Sequence, residues 1–242
     1  MMRMKLVSLN VGLPREVTWH GMNVSTGIFK QPVDGRLALR HLNLDGDRQA
    51  DLTVHGGKDK AVYCYPLEHY DYWKKELANH EFPMGIFGEN FTIDFHAEEM
   101  SALREKTSAS LPENLIHIGD RFAIGSAEVV VTQPRLPCYK LGIRFHMDDM
   151  VKRFLVSGRS GFYLAVTREG EVGAGDEMRP LAQDPNAVPV AAITQLYIAK
   201  RFSTEDLSLT QRALRVAELP ESWKEYFRER LDQANSGTNL SS

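Results

Sequence analysis

Cys138 has the sequence surroundings of a reactive thiol. It follows Pro137 and lies between Arg135 and Lys140, just after a β-branched run that Pro134 ends. Prolines stop a strand and fix the local backbone, and cationic neighbours favour the thiolate over the thiol. The alternative is a core position, because free cysteine is usually a small buried apolar residue. The prolines and cations together favour a functional thiol.

A second candidate is the turn at residues 55–60, which reads His-Gly-Gly-Lys-Asp-Lys. Gly56 and Gly57 would let backbone amides approach an anion closely, and Lys58 and Lys60 would add charge, so the turn suits a phosphate. The alternative is a solvated turn whose glycines only adopt positive φ. The glycine spacing matches neither a P-loop nor a dinucleotide-binding fingerprint.

Weaker candidates lie elsewhere in the chain. Glu89 and Asn90 would orient a heterocycle through hydrogen bonds, or only complete a turn. Arg159 would add a cation at the mouth of a barrel, or cap the preceding helix. Zinc is not predicted, since the chain has neither a Cys-x-x-Cys pair nor a His-Glu-x-x-His motif.

Short alternating or β-branched segments separated by Gly, Pro and Asp predict a mainly β fold, a barrel or a sandwich. The predicted strands include residues 5–11, 16–20, 24–29, 36–42, 61–65, 121–124, 128–132 and 162–167. Helical spacing predicts helices over 66–78 and 147–156. Cys64 alternates with Tyr63 and Tyr65, which predicts a core position for this second cysteine.

Residues 183–186, Gln-Asp-Pro-Asn, differ in composition from the preceding segments. They are interpreted as a linker after a β domain over 1–182. Beyond them the spacing at which apolar residues recur changes from every two residues to about every 3.6 residues, which predicts a three-helix module over 189–234. Ser203 and Thr204 are predicted to cap its second helix. The polar tail at 235–242 is predicted to be disordered, and the polar insertion at 97–115 to be exposed and mobile.

The 242 residues, 43% hydrophobic and 25% charged, are typical of one soluble globular domain with a small appendage. A net charge of −3 argues against general nucleic-acid binding. Two distant cysteines form no disulfide framework, which favours a reducing cytoplasm. No apolar run reaches membrane-spanning length, and the first residues read as a strand rather than a signal peptide.

Five motifs occur in a specific order along the chain. They are Val-His-Gly-Gly-x-Asp at 54–59, Tyr-Pro-x-Glu-His-Tyr-x-Tyr-Trp at 65–73, Phe-Gly-Glu-Asn at 87–90, Ile-Gly-Asp at 118–120 and Gln-Pro-Arg-x-Pro-Cys-Tyr-Lys-Leu at 133–141. In this order they closely resemble the YiiM-type proteins of the MOSC family, named for the C-terminal domain of molybdenum cofactor sulfurase. The resemblance covers nearly the whole chain, including the helical module.

The resemblance implies a β-barrel whose pocket binds molybdenum cofactor, with Cys138 as the protein ligand to the metal. A soft thiolate suits a metal already held by the dithiolene sulfurs of molybdopterin. The phosphate of the pterin needs cations and backbone amides. The candidate contacts are Arg135, Lys140, Lys58, Arg159, Gly56 and Gly57.

The resemblance also implies reduction of N-hydroxylated compounds, including hydroxylaminopurine base analogues, and so detoxification. His55 and Asn90 would position the substrate, with His55 as proton donor because imidazole titrates near neutral pH. The chain has no flavin, haem or iron–sulfur signature, so an external flavoprotein is the expected electron donor.

Two alternatives stay open. The pocket could store the cofactor, or Cys138 could carry sulfur as a persulfide, without catalysis. A cysteine hydrolase or transferase would use Cys138 with His55. The physiological substrate and the oligomeric state are not determined by the sequence.

Overall fold

The computed structural model describes residues 3–50, 56–95 and 111–238, with side chains up to residue 234. The strands in these ranges are β1 (Met4–Val11), β2 (Arg15–Trp19), β3 (Met22–Thr26), β4 (Gln31–Pro32), β5 (Arg36–Leu39), β6 (Val62–Pro66), β7 (Phe91–Phe95), β8 (Arg121–Ile124), β9 (Ala127–Pro134), β10 (Phe162–Arg168), β11 (Gly170–Gly173) and β12 (Glu177–Ala182). They confirm the predicted mainly β fold.

Seven of these strands form a closed barrel in the order β12-β8-β9-β10-β6-β7-β1, because β12 also pairs with β1. All neighbours in the barrel are antiparallel except β6 and β7, which run parallel. Closure removes the exposed edges that an open sheet would have. β4 pairs with the C-terminal end of β1, and β2 pairs with β3 in a separate hairpin.

The alternation predicted for β6 is confirmed. Val62 and Cys64 belong to the apolar cluster that fills the barrel. Tyr63 and Tyr65 belong to a second cluster, rich in aromatic rings, on the other side of the strand. Burial also raises the pKa of the Cys64 thiol well above its usual value, so this cysteine is an inert core residue.

The described α-helices are α1 (Glu68–Glu76), α2 (Tyr139–Phe145), α3 (Met150–Ser157), α4 (Val190–Ile198), α5 (Thr204–Ala213) and α6 (Glu221–Thr238). Helix α2 begins directly after Cys138 and was not predicted. Ser203 caps α5 through a reciprocal capping box with Asp206, as predicted for Ser203. Helix α6 continues to Thr238, so 235–238 are helical rather than part of a disordered tail, while 239–242 lie outside the described residues.

The C-terminal helices α4 to α6 pack on the barrel and share its apolar cluster through Ile193, Leu196 and Phe227. The predicted linker is itself fixed at one point, since the Asp184 amide donates to Asp120 Oδ1 at 3.2 Å. Within the described ranges, no helix combines the length and apolarity that crossing a bilayer would require.

Residues 96–110 lie outside the described ranges, so the predicted mobile insertion stays a prediction for them. The described end of that segment differs from the expectation. Glu113 is fully buried, and its carboxylate lies 2.8 Å from His69 Nε2 and accepts a hydrogen bond from the Gly161 amide. These hydrogen bonds fix the end of the segment against α1 and the residue before β10.

Candidate functional site

A cavity of about 90 Å³ opens at the end of the barrel where β9 leads into α2. Its walls come from segments that are far apart in the sequence. They include the loop after β3, the turn at 48–50, the turn at 56–60, the start of β6 and the connection at 135–140. The lining residues are Thr26, Gly27, Ile28, Lys30, Arg48, Gln49, Ala50, Gly56, Lys60, Tyr63, Gly88, Asn90, Arg135, Cys138, Lys140 and Tyr163.

Cys138 lies on the wall of this cavity as a free, half-buried thiol. Pro134 ends β9, three residues cross the barrel end, and Cys138 then adopts an extended backbone as the residue before α2. Leu141 donates its amide to the Cys138 carbonyl at 2.9 Å, which fixes the start of that helix. The alternative of a sealed core position therefore describes Cys64 and not Cys138.

The cavity is strongly cationic. Five of its described lining residues are lysine or arginine, and none of them is aspartate or glutamate. Burial lowers the pKa of Lys60 and of Lys30, as expected for ammonium groups partly removed from water. Lys30 is already paired with Asp47, whereas an anion in the cavity would relieve the desolvation of Lys60. The five cations are Lys30, Arg48, Lys60, Arg135 and Lys140.

Asn90 lines the cavity, but its amide is used inside the protein. The Asn90 Oδ1 atom accepts from the Tyr63 amide at 3.1 Å, and its Nδ2 donates to Asp47 Oδ2 at 2.9 Å. Asp47 in turn forms a buried ion pair with Lys30. The structure therefore shows Asn90 as a brace between β6 and the turn at Asp47, and its substrate-positioning role stays a prediction.

Arg135 is a buried guanidinium at the base of the cavity, only 7% exposed. Its charged group lies 4.6 Å from the centre of the Tyr63 ring and donates to the Phe87 carbonyl. Tyr63 is held in turn by its hydroxyl, which donates to the Ser160 carbonyl at 2.8 Å. Arg135 is thus a fixed positive charge, supported by cation–π contact as well as by a hydrogen bond.

The glycine-lysine turn contributes to the cavity through only some of the expected residues. Gly56 lines it, with φ of 104°, and Gly57 adjoins it with φ of 83°. Lys58 is exposed and is not among the lining residues, whereas Lys60 lines the cavity from the end of a 3₁₀ turn. His55 lies outside the described residues, and its predicted role is untested.

Arg159 does not lie with the other cations. Its guanidinium stacks 3.6 Å from the centre of the Tyr72 ring and donates to the Ser157 carbonyl at 3.0 Å, at the end of α3. Those contacts agree with the alternative prediction for Arg159, that it caps the preceding helix. The expectation of a cation at the barrel mouth is corrected here, because the loop directs this side chain to α1 instead.

Sequence reasoning missed two cations that line the cavity. Arg48 follows the Asp-Gly-Asp sequence at 45–47, which is typical of a turn and carries no binding signal. Lys30 had no local signal, because its partner Asp47 is 17 positions away. A buried aspartate in a turn is stabilised only when it is paired, so Asp47 was the residue that could have drawn attention to this wall.

The described residues contain no group of three or more His, Cys, Asp and Glu side chains placed to hold a metal ion. A metal at Cys138 would therefore have to arrive with other ligands already attached. A half-buried thiol beside several cations fits an anionic metal complex of that type, in which a soft sulfur ligand completes the coordination. The chemistry of the residues present thus fits molybdenum cofactor. The cavity of about 90 Å³ is smaller than the roughly 300 to 1,000 Å³ of typical small-molecule sites, so only part of the cofactor would lie inside it.

Comparisons with protein-family models agree with this geometry. A model described as "MOSC domain" matches residues 51–179, and one described as "YiiM-like, 3-alpha helix domain" matches residues 188–234. The chain belongs to the MOSC family. The helical match assigns it, within that family, to the YiiM-like proteins, which confirms the resemblance indicated by the five motifs.

Individual relatives support the same assignment. The chain is 35% identical to "Uncharacterized protein YflK" of Bacillus subtilis (strain 168) over 231 residues, 96% of each chain. It is 34% identical to "Protein YiiM" of Escherichia coli (strain K12), over 85% of this chain and 84% of that protein. A shorter match, 28% identical over 159 residues, is to a protein named "Reductase" of Gibberella moniliformis (strain M3125 / FGSC 7600), covering 64% of this chain and 26% of that one.

The crystal structure of YiiM from Geobacillus stearothermophilus has the same fold. It superposes with a TM-score of 0.72 at 30% identity, over 94% of this chain and 99% of that one. The barrel and the three C-terminal helices are therefore a common architecture of these proteins.

Proposed function

We propose that this protein is a molybdenum-cofactor-dependent reductase of N-hydroxylated compounds, such as hydroxylaminopurine base analogues, and that it serves in detoxification. The observation that carries the proposal is a free, half-buried thiol on the wall of a cavity with five cations and, among its described lining residues, no carboxylate. The fungal relative named "Reductase" supports oxidoreductase chemistry in proteins of this type.

Cys138 Sγ would be the protein ligand to the metal. Arg48, which is exposed, and Lys140, which is half-buried, line the cavity and would hold the pterin phosphate. Each charge-assisted contact of this kind contributes about 1.5 to 3 kcal/mol net. Arg135 is more deeply buried and already engaged, so it would act as a fixed positive charge below the cofactor.

When bound, the molybdenum centre would supply the two electrons that, with two protons, convert an N-hydroxyl group to an N–H group and water. The chain itself would bind the cofactor, orient the substrate and deliver protons. Lys60 lines the cavity as a protonated amine whose pKa burial lowers, which makes it a proton donor on the described wall. His55 stays the second proposed donor. Electrons would come from an external flavoprotein in the cytoplasm.

The test compares the two cysteines in protein produced in cells that make molybdenum cofactor. Wild-type protein should contain nearly one molybdenum and one pterin per chain, by elemental analysis and by fluorescence of the oxidised pterin. It should reduce 6-hydroxylaminopurine with reduced viologen dye as electron donor. Cys138→Ala should lose both the metal and turnover, with an unchanged circular dichroism spectrum. Cys64→Ala should keep both.

Other results would favour the alternatives. Stoichiometric cofactor without turnover of any N-hydroxylated compound would indicate a carrier. Cyanide-releasable sulfur that disappears in Cys138→Ala would indicate a persulfide carrier. Full activity in Cys138→Ala would remove the thiol from the mechanism.

A further inference from the structure

A second cavity, of about 410 Å³, lies on the other side of Cys138. It shares Lys60, Cys138 and Tyr163 with the cation-lined cavity, so the two adjoin and Cys138 lies at their boundary. Its volume is within the range of about 300 to 1,000 Å³ typical of small-molecule sites. A molecule in the second cavity would therefore reach the thiol without entering the cationic one.

The second cavity lies between the barrel and the C-terminal helices. The barrel side is formed by the end of β9 and the connection after it, including Pro134, Leu136 and Pro137. The helical side is formed by Tyr197 of α4 together with Trp223 and Tyr226 of α6. The C-terminal helices thus supply an aromatic wall next to the candidate site.

This aromatic wall, formed by Tyr197, Trp223 and Tyr226, is fixed by its own contacts. The Tyr197 ring centre lies 5.7 Å from Trp223 and 5.6 Å from Tyr226. Trp223 Nε1 donates to Gln133 Oε1 at 2.8 Å, which ties the wall to β9. The Tyr226 hydroxyl accepts from Arg230 at 2.9 Å. Because the rings are already ordered, a ligand that stacks on them would lose little free energy in ordering them.

The composition of the cavity restricts the ligand. Among the described lining residues Lys60 is the one charged side chain, so a cationic ligand would be disfavoured. Tyrosine and tryptophan rings favour flat aromatic groups through offset or edge-to-face contact. A neutral or weakly acidic planar ring fits these walls better than an aliphatic chain or an ammonium group.

We propose that the second cavity binds the planar aromatic ring of the substrate, with the reacting N-hydroxyl group turned toward Cys138 and the cation-lined cavity. The placement of the N-hydroxyl group rests on the proposed function, whereas the ring site does not. The C-terminal helices are then the part of the protein that selects aromatic over aliphatic substrates.

The ring site can be tested in cofactor-free protein, where no turnover occurs. The probes are benzhydroxamic acid and acetohydroxamic acid, which share the reacting group and differ in the ring. Benzhydroxamic acid should quench tryptophan fluorescence saturably, and acetohydroxamic acid should not. The quenching should be lost in Trp223→Phe and kept in Trp19→Phe, because Trp19 lies on β2 outside both cavities.

A blocking variant tests the site without removing any packing. Ser222 is exposed and lines the cavity at the start of α6, so Ser222→Trp should fill the space and weaken benzhydroxamic acid binding about tenfold by calorimetry. Ser208→Trp is the matched control, since Ser208 is exposed on α5 and lines neither cavity. Equal affinity in wild type and Ser222→Trp would overturn the ring site.

Turnover by cofactor-loaded protein then separates the two proposals. Ser222→Trp should lower kcat/KM for benzhydroxamic acid about tenfold more than for acetohydroxamic acid. An equal loss for both compounds would overturn the selective role of the wall. Saturable ring binding with no reduction of either compound would leave the ring site standing and refute the proposed function.

Discussion

The interior of the barrel and its mouth each contain one cysteine, and the two thiols differ in burial and in the charge around them. Cys64 is fully buried on β6 between Phe91 and Phe162, its neighbours on the adjacent strands. Cys138 is half-buried at the barrel end, where the cations of the cavity converge. Burial without a charge partner keeps a thiol neutral, whereas access and positive charge make it a ligand or nucleophile.

The packing around the two cysteines differs as well. Gly161 lies against Cys64 so closely that an added Cβ would stand 2.3 Å from the Cys64 carbonyl oxygen, and its φ of 60° also favours glycine. At the mouth, support comes from polar contacts such as the Lys30–Asp47 pair and Asn90. Close packing thus stabilises the interior of the barrel, whereas buried charged and polar contacts stabilise its mouth. The following predictions test that difference.

The largest expected effect is in thiol reactivity. Native protein should react rapidly with a thiol reagent such as DTNB at one cysteine, and at two cysteines in denaturant. The slow thiol should react at least about 1,000-fold more slowly, because Cys64 requires unfolding to be exposed. Cys138→Ala should lose the rapid phase, and a rapid phase that persists in that variant would refute the comparison.

The buried charge pair should dominate stability at the mouth. Asp47→Ala would leave the buried Lys30 ammonium without its carboxylate partner. It would also remove the acceptor for the Gly12 amide, which donates to Asp47 Oδ1 at 2.9 Å. We expect a loss of about 3 to 5 kcal/mol in the free energy of unfolding, measured in urea.

Asp45, two positions away, is the matched control for that variant. Its side chain is 53% exposed and pairs with Arg40 at 3.4 Å. Because exposed pairs contribute little, Asp45→Ala should cost less than about 1 kcal/mol. Equal losses for the two variants would show that the mouth does not depend on buried charge.

A cation at the mouth should serve binding rather than folding. Lys140→Ala should lower cofactor retention about tenfold during dialysis, because one charge-assisted contact is lost. Its free energy of unfolding should change by no more than about 0.5 kcal/mol. Lys152→Ala, which changes an exposed lysine on α3, should alter neither quantity. Unchanged retention in Lys140→Ala would exclude its role in holding phosphate.

The smallest effect concerns Glu68, next to the aromatic cluster outside the barrel. Burial raises the pKa of this carboxyl from its usual value of 4.5 to about 7. The folded state therefore binds more protons than the unfolded state between these values, so the stability contributed by Glu68 falls as pH rises through this interval. At pH 8 the charged, poorly solvated carboxylate is destabilising.

Glu68→Gln removes that charge and keeps an oxygen for the Phe95 amide, which donates to Glu68 Oε1 at 2.8 Å. We expect a gain of about 1 to 2 kcal/mol at pH 8, discounted for partial exposure, and almost no gain below pH 4.5. Denaturation curves at the two pH values measure the difference. A gain of equal size at both would show that the charge of Glu68 is not its cause.

The strands and helices were largely predictable because their signals are local. Alternation on β6 assigned Cys64 to the core, and the change of period after 186 predicted the three C-terminal helices. Helix α2 was missed because prolines at 134 and 137 mask its start. The sequence also could not show that Glu113, within a polar segment, is buried by its pairing with His69.

The candidate site was predictable only in part. Arg135 and Lys140 are close to Cys138 in sequence and line the cavity, as expected. Lys58 and Arg159 were expected there and line other surfaces. Side-chain direction decides this, because a cation near a site in sequence can point away from it after one turn of backbone.

By itself, the sequence determined the family, the mainly β architecture and the two different environments of its cysteines, since these depend on residue types within a few positions of one another. Only the tertiary structure decided which cations meet at Cys138 and that Trp223 and Tyr226 form a wall beside it. Barrel closure and the packing of α6 on the barrel bring residues 48, 60, 140 and 223 around Cys138, and no local pattern encodes the tertiary contacts that set those distances.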